Sequence, residues 1–257
     1  MASSATDSQG KDKDIREKLI DTSAVDVMMS VGNNFFYTKS LPCTLWFFDK
    51  AKREENKDKV LFIDARNYYT VVDKTLNEWS EWQMKNLNAI VWLYRGEIDK
   101  YQKLLGEYRT ALGSDNFDEV LSQLTAKTEQ VKTESKSALE TCAKRDKKAT
   151  QAKYDEMLST LAEQTEIAKQ ALWLTEKFGD GEYKDVLGLC KLANREEIKE
   201  KGFSLTPGAY VGVEEVADDG VDFSARMKEI HAELLELQAQ SNDLMSTISK
   251  NIKELGL

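Results

Sequence analysis

Aromatic rings in a loop are the first residues here that invite a chemical reading. Phe35-Phe36-Tyr37 lies between two apolar runs, Val25 to Val31 and Thr44 to Phe48, just after the turn residues Gly32-Asn33-Asn34. On residue types alone, such rings plug the space between strand ends. A second candidate is charge. Lys144, Arg145, Lys147 and Lys148, with Lys153 beyond, form the densest positive cluster in the chain. It reads either as the solvated end of a helical pair or as a contact for nucleic acid or another subunit. His231 is the only histidine, with no Cys, Asp or Ser constellation around it, and reads as solvated or packed. The 45 Asp and Glu residues fall largely on helical registers, where carboxylates form solvated faces. Cys43, Cys142 and Cys190 are scattered without a C-x-x-C pair. Neither a catalytic group nor a metal site is expected, and nothing points to glycosidase or protease chemistry.

Composition sets the bounds. A chain of 257 residues holds one or two domains with a real core. Charged residues make up 32% and prolines number two, a profile of long solvated helices. The net charge of −9 argues against the chain gripping DNA unaided, because phosphate contacts need a basic surface. Scattered cysteines suit a reducing compartment, and no apolar run approaches the ~20 residues of a membrane span. A soluble, cytoplasmic chain without membrane contact is expected.

The elements that would position these residues follow from periodicity. Residues 14–20 read as a helix with Ile15, Leu19 and, less squarely, Ile20 on one face. Val25 to Val31 and residues 44–48 read as buried strands, the second too apolar to have one wet face. Pro42 suits the start of that strand, and residues 60–65 make a third. The charged stretch 50–59 reads as an exposed loop. Residues 73–94 read as helix, with Ser80 a candidate N-cap for a break within it. The five tryptophans read as core.

From residue 97 to residue 178 the chain is helical in character, with Ser114 or Asp115 able to cap a new helix. Phe117, Leu121, Leu124, Thr128, Val131, Ser135, Ala138 and Cys142 form one ladder, and Tyr154, Leu158, Leu161, Thr165, Ala168 and Leu172 a second. Two ladders around one charged break predict an antiparallel hairpin, each arm roughly 39 Å long at 1.5 Å per residue. Gly179-Asp180-Gly181 ends it. Residues 182–221 read as irregular, with short helical pieces near 182–189 and at 194–201, the latter capped by Asn194, and a turn at Leu205-Thr206-Pro207-Gly208. The acidic stretch 214–220 leads into a last helix. There Phe223, Met227, Ile230, Leu234, Leu237, Ser241, Leu244, Ile248 and Leu255 hold a heptad, with Gly256 as C-cap. So narrow a stripe wants a partner helix.

The order of strand, Gly-x-x-Phe-Phe-Tyr-Thr, x-x-Leu-Pro-Cys-Thr-Leu-Trp-Phe, then Val60-Leu61-Phe62-Ile63-Asp64-Ala65-Arg66, closely resembles the modification (M) subunit of type I restriction–modification systems. Those subunits are adenine-N6 DNA methyltransferases. Tyr94-Arg95-Gly96 and Phe203-Ser204-Leu205-Thr206-Pro207-Gly208-Ala209-Tyr210-Val211-Gly212 extend the likeness, which covers roughly residues 14–97 and 183–257. Resemblance and periodicity together lead to the expectation of a mixed α/β and α fold. A partial methyltransferase (Rossmann-like) sheet would occupy residues 1–97, a long antiparallel helical hairpin 98–178, and a C-terminal helical segment 179–257.

The family's Gly-rich S-adenosylmethionine loop and Asn-Pro-Pro-Phe motif lie upstream of the matched stretch, and the only prolines here are Pro42 and Pro207. Met1-Ala2-Ser3-Ser4 resembles a point inside the family's sequence. The chain is therefore expected to be the C-terminal part of such a subunit and inert alone, with S-adenosylmethionine bound by the parent and not by this chain. The family also places an aromatic of this loop against the target adenine, whose amine is reached only once the base is flipped out. Counting back from Pro42 favours Phe36, with Phe35 the alternative and Tyr37 beside them. The implied partners are a specificity subunit, a restriction subunit, and DNA through the complex. Phe223, Met227, Ile230, Leu234, Leu237, Leu244 and Ile248 match the family's surface for the specificity subunit. Exposed strand edges leave dimerisation of the fragment open. The alternative reading is a free-standing coiled-coil interaction module without enzymatic activity.

Overall fold

The computed structural model describes residues 3–143, 145–213 and 223–254. The chain divides into two compact units, Met1–Val213 and Glu214–Leu257. In chain order the first unit contains α1 (Lys11–Asp21), β1 (Val25–Val31), β2 (Cys43–Phe48), β3 (Lys59–Ala65) and the two-residue strands β4 (Thr70–Val71) and β5 (Asn77–Glu78). It continues with α2 (Glu81–Tyr94), α3 (Ile98–Leu112), α4 (Phe117–Thr141), α5 (Lys147–Phe178), β6 (Cys190–Asn194) and α6 (Arg195–Glu200). The second unit holds α7 (Phe223–Glu254).

Four strands form one sheet in the order β2-β1-β3-β6. The central pair, β1 and β3, is parallel, and both outer strands run antiparallel to their neighbours. Every residue of β1 is buried, which is why Val-Asp-Val-Met-Met-Ser-Val shows no alternation: both faces of a central parallel strand are covered. On one face Val27, Met29, Leu61 and Ile63 pack with residues of α2, α3 and α5. On the other, Val25, Met28, Val60 and Phe62 meet Ile20, Ile198 and the stretch from Phe203 to Val211.

Strand β2 departs from expectation. It is an edge strand, and neither layer reaches its last residues, so Phe47 and Phe48 are 45% and 52% exposed. The buried face of α1 also differs: Ile15 is exposed and Arg16 is buried beside Ile20. Arg16 donates to the carbonyls of Phe203 (2.9 Å), Ala5 (3.1 Å) and Ser8 (2.6 Å), a set of partners that offsets the cost of burying its charge.

Residues 73–79 are not helical. Asp73 accepts hydrogen bonds from the backbone and hydroxyl of Thr75, closing the turn of the β4–β5 ribbon. Helix α2 begins only at Ser80, whose hydroxyl accepts from the Gln83 amide while the Gln83 side chain reaches back to the Ser80 N–H. Helix α4 is capped by Asn116 (Oδ1 to Glu119 N, 3.2 Å) rather than by Ser114 or Asp115. Those two are otherwise engaged, Ser114 with the Asn116 amide and Asp115 with Arg109.

Helices α4 and α5 pack along each other, and every residue of both ladders is buried or half-buried. Thr128 and Thr165 fit there because their hydroxyls donate back to the carbonyls of Leu124 and Leu161. The base of α5 is tied in by polar contacts. Tyr68 donates to Gln170 (2.5 Å), Asn86 to the Gln170 carbonyl (2.9 Å), and Tyr108 to Asn86 (2.9 Å). Trp173 stacks on Tyr68 and Trp82 on Tyr108, and all five tryptophans lie half-buried against the two core layers.

No helix forms at residues 182–189. Val186 instead pairs with Cys190, and the chain enters β6, which zips antiparallel along β3. Cys-Lys-Leu-Ala-Asn lacks the β-branched residues that announce a strand, so its pairing is imposed by β3. Asn194 ends this strand and caps α6 as expected (Oδ1 to Glu197 N, 2.9 Å). The acidic stretch 214–220, Leu255 and Gly256 lie outside the described residues.

Candidate functional site

At the carboxyl ends of the parallel pair β1 and β3 the connections diverge, which is where open sheets of this kind lodge ligands. The gap is a crevice of about 490 Å³. Ser30 and Thr44 line it from the strands, Asn33, Asn67 and Tyr69 from the loops, and Thr206 from the distal turn. Gly32 lets the chain leave β1 against β3: a Cβ there would stand 2.7 Å from the Arg66 carbonyl oxygen. Asn34 (φ +63°) reverses the chain, and Asn77 of β5 clamps it, donating to the carbonyls of Asn33 (2.9 Å) and Asn34 (2.8 Å).

The clamped loop carries the aromatic cluster, and its three rings have different surroundings. Phe35 is half-buried, with its ring 4.8 Å from Trp79 and edge-on to Tyr69 at 5.9 Å. Phe36 is 47% exposed and Tyr37 94% exposed. One ring is packed and two face outward.

Arg66, at the end of β3, also lines the crevice. Its Nε donates to Asp64 Oδ1 (2.8 Å) and its Nη2 to Asp64 Oδ2 (2.6 Å), a two-point pair that holds the guanidinium plane. That hydrogen bond raises Arg66 above its usual pKa, so it stays charged. The distal wall comes from residues 204–210. Tyr210 stacks flat on Phe62 at 3.8 Å, and the Thr206 and Thr6 hydroxyls lie 2.7 Å apart. Gly208 passes so close that a Cβ would stand 2.8 Å from Arg66 Nη2.

Sequence reading assigned no role to Arg66, Asp64, Asn67, Tyr69, Thr206 or Gly208. The usable signal was position: Asp64-Ala65-Arg66 ends a buried strand, and side chains at the carboxyl ends of parallel strands face the ligand crevice.

The amino end of the same sheet is built differently. Asp26 of β1, 2% exposed, accepts from Tyr94 (2.9 Å) and Arg95 (2.5 Å), with Lys52 Nζ 4.0 Å away. Lys52 also donates to the Val25 carbonyl at 2.8 Å. Burial lowers the Lys52 pKa and Asp26 opposes that shift, while burial and then Asp26 push Tyr94 upward. The cleft beside them measures about 190 Å³.

The remaining sequence candidates lie elsewhere. Arg145 contacts Asp146 at 3.5 Å, Lys147 and Lys148 are exposed, and Lys144 lies outside the described residues. Along α7, Met227, Ile230, Leu234, Leu237, Leu244 and Ile248 are 37–66% exposed, and the side chain of Phe223 is outside the described set. His231 is exposed. Among the described residues no group of His, Cys, Asp and Glu gathers as a metal site, and no helix is long and apolar enough to cross a membrane.

Residues 1–108 match the family model described as N-6 DNA Methylase. The type I restriction enzyme HindI methylase subunit of Haemophilus influenzae is 26% identical over 254 residues, spanning 99% of this chain and 38% of that protein. The MjaIX methylase subunit of Methanocaldococcus jannaschii is 24% identical over 256 residues, spanning 100% of this chain and 31% of that one. Along nearly its whole length the chain is similar to type I restriction enzyme methylase subunits. It covers about a third of the length of these two relatives. A solved methyltransferase subunit from Streptococcus thermophilus superposes with a TM-score of 0.39 at 14% identity, over 82% of this chain and 25% of that one, too faint a likeness to argue from.

The aromatic loop, Asp64 and Arg66 fall inside the N-6 DNA Methylase match, whereas Thr206 and Gly208 fall outside it. The crevice therefore joins two stretches well separated in sequence, and β6 helps bring the second to the first.

Proposed function

We propose that this chain works inside an adenine-N6 DNA methyltransferase complex, as one wall of the target-base pocket and as the helix that docks a specificity subunit. The observation that carries the reading is the loop from Gly32 to Pro42. Its flanks line a crevice at the strand ends, and it presents Phe36 and Tyr37 to solvent above a packed Phe35. Flipping an adenine out of a duplex costs a few kcal/mol, and stacking on an aromatic ring returns about 1–3 kcal/mol. Phe36 is the stacking face in this reading, with Phe35 fixing the loop behind it and Tyr37 beside it.

The residues present do not fit S-adenosylmethionine. Neither β1 nor β3 leads straight into a helix N-terminus that would receive the donor, and among the described residues no carboxylate lines the crevice to hold ribose hydroxyls. With its two prolines far apart, the chain also carries no Asn-Pro-Pro-Phe. The methyl donor is held elsewhere in the assembly, and this chain by itself transfers no methyl group. Its partners are the specificity and restriction subunits and, through them, DNA in the cytoplasm. The outward stripe of α7 is the docking face, and we read α4 and α5 as an antiparallel arm reaching toward DNA or a neighbouring subunit.

The test places 2-aminopurine at the target adenine of a duplex bound by the assembled complex. A flipped base stacked on Phe36 gives a signal that Phe36→Ala shifts, with adenine methylation falling alongside. An unshifted signal and normal methylation remove the stacking role. The free-standing interaction module remains the second reading, favoured by the exposed stripe of α7. Methylation independent of this chain would select it.

A further inference from the structure

The crevice holds one charged lining residue, and the charge is positive. Among the described residues that line it, Arg66 is accompanied only by neutral groups, in a chain whose net charge is −9. Its counter-ion sits behind it: the Asp64 side chain is 9% exposed and is not part of the lining, whereas that of Arg66 is 53% exposed. The pair uses Nε and Nη2, which leaves Nη1 to donate elsewhere. An arginine locked in this way loses little conformational entropy when it meets a ligand, because its orientation is already set. The surrounding backbone is cut to fit it. Side chains at Gly32 or Gly208 would press on the Arg66 carbonyl at 2.7 Å or on Nη2 at 2.8 Å. Asn33 and Asn67, from the loops after β1 and β3, add neutral groups that can donate to an oxyanion.

A fixed guanidinium backed by a half-buried carboxylate, ringed by neutral donors, is suited to a single phosphate. We infer that Arg66 anchors one backbone phosphate of the DNA strand beside the displaced adenine. It acts as a positioning residue that sets where the strand passes the crevice. This inference rests on the proposed role in DNA methylation. It also accounts for the distal turn: residues 204–208 close the far side of the guanidinium and hold the anchor from a stretch remote in sequence.

The experiment is DNA binding by the assembled modification complex across a salt series. Arg66→Gln should weaken binding about tenfold and lower the magnitude of the log K against log salt slope by about 0.9, the share of one phosphate. In steady state KM rises while kcat stays within about twofold. Arg66→Lys recovers part of the slope, since a point charge remains, but not the affinity, since an ammonium cannot keep the two-point pair with Asp64. Single methylphosphonates stepped along the strand near the target adenine supply a readout that does not depend on how well the variant folds. At one position the unsubstituted complex should lose about tenfold and the Arg66→Gln complex nothing further.

An unchanged salt slope, or equal methylphosphonate losses in both proteins at every position, overturns the anchor. A normal anchor signature with an unshifted 2-aminopurine signal in Phe36→Ala removes the stacking role and keeps Arg66. A complex that binds no DNA at all removes both.

Discussion

The two ends of the central sheet solve opposite problems with similar residues. At the amino end, Asp26 is enclosed by Tyr94, Arg95 and Lys52, so each charge meets a partner inside the fold. At the carboxyl end, Asp64 secures one edge of Arg66 and leaves the other toward a crevice more than twice as large, about 490 against about 190 Å³. Both ends pair a carboxylate with an arginine. Satisfaction separates them: a closed ionic cluster holds strands together, and an open one can take a ligand.

Substitution at the closed end should have the larger effect on stability. Asp26→Ala leaves Lys52 buried beside Arg95 without its carboxylate, and a loss of about 3–5 kcal/mol is expected in urea unfolding of this chain. A loss below about 1 kcal/mol would mean that the cluster is no more structural than the crevice and would erase the contrast. At the open end, Gly32→Ala forces a Cβ against the Arg66 carbonyl and should cost about 1–3 kcal/mol, together with the proposed contact of the crevice with DNA. Phe36→Ala should change stability by no more than about 0.5 kcal/mol, because the ring is exposed, while cutting methylation by the complex.

Alkaline titration tests how closed the rest of the unit is. Burial holds the phenols of Tyr68, Tyr94, Tyr101, Tyr108, Tyr183 and Tyr210 above their usual value near 10, with Tyr101 pushed up to about 12. The folded chain thus keeps protons that the unfolded chain releases above pH 10, so stability is intact below that point and declines as pH rises further. Tyrosinate absorbance should show these six ionising together with unfolding. A smooth titration of all nine tyrosines from pH 10, with the fold intact, would contradict the burial that defines the closed half. The smallest effect is expected at Cys190, buried with its thiol pushed up to about 12, which should be alkylated last of the three cysteines.

The sequence alone determined the strands and helices with strong local signals. Val25 to Val31 announced a strand by its mostly apolar run without helical spacing, the ladders on α4 and α5 were legible from four-and-three spacing, and Ser80 and Asn194 marked helix starts through capping chemistry. The loop Phe35-Phe36-Tyr37 and its family likeness were readable for the same reason: they are contiguous. Tertiary structure decided whatever depends on a distant partner. Strand β6 exists because β3 offers an unpaired edge to Cys190–Asn194, and Arg16 is buried because the carbonyls of Ala5, Ser8 and Phe203 converge on it. The crevice belongs to this second class. Arg66 became a candidate only when the fold set Asp64 behind it and Gly208, 142 positions later in the sequence, against its guanidinium, a proximity that local spacing does not encode.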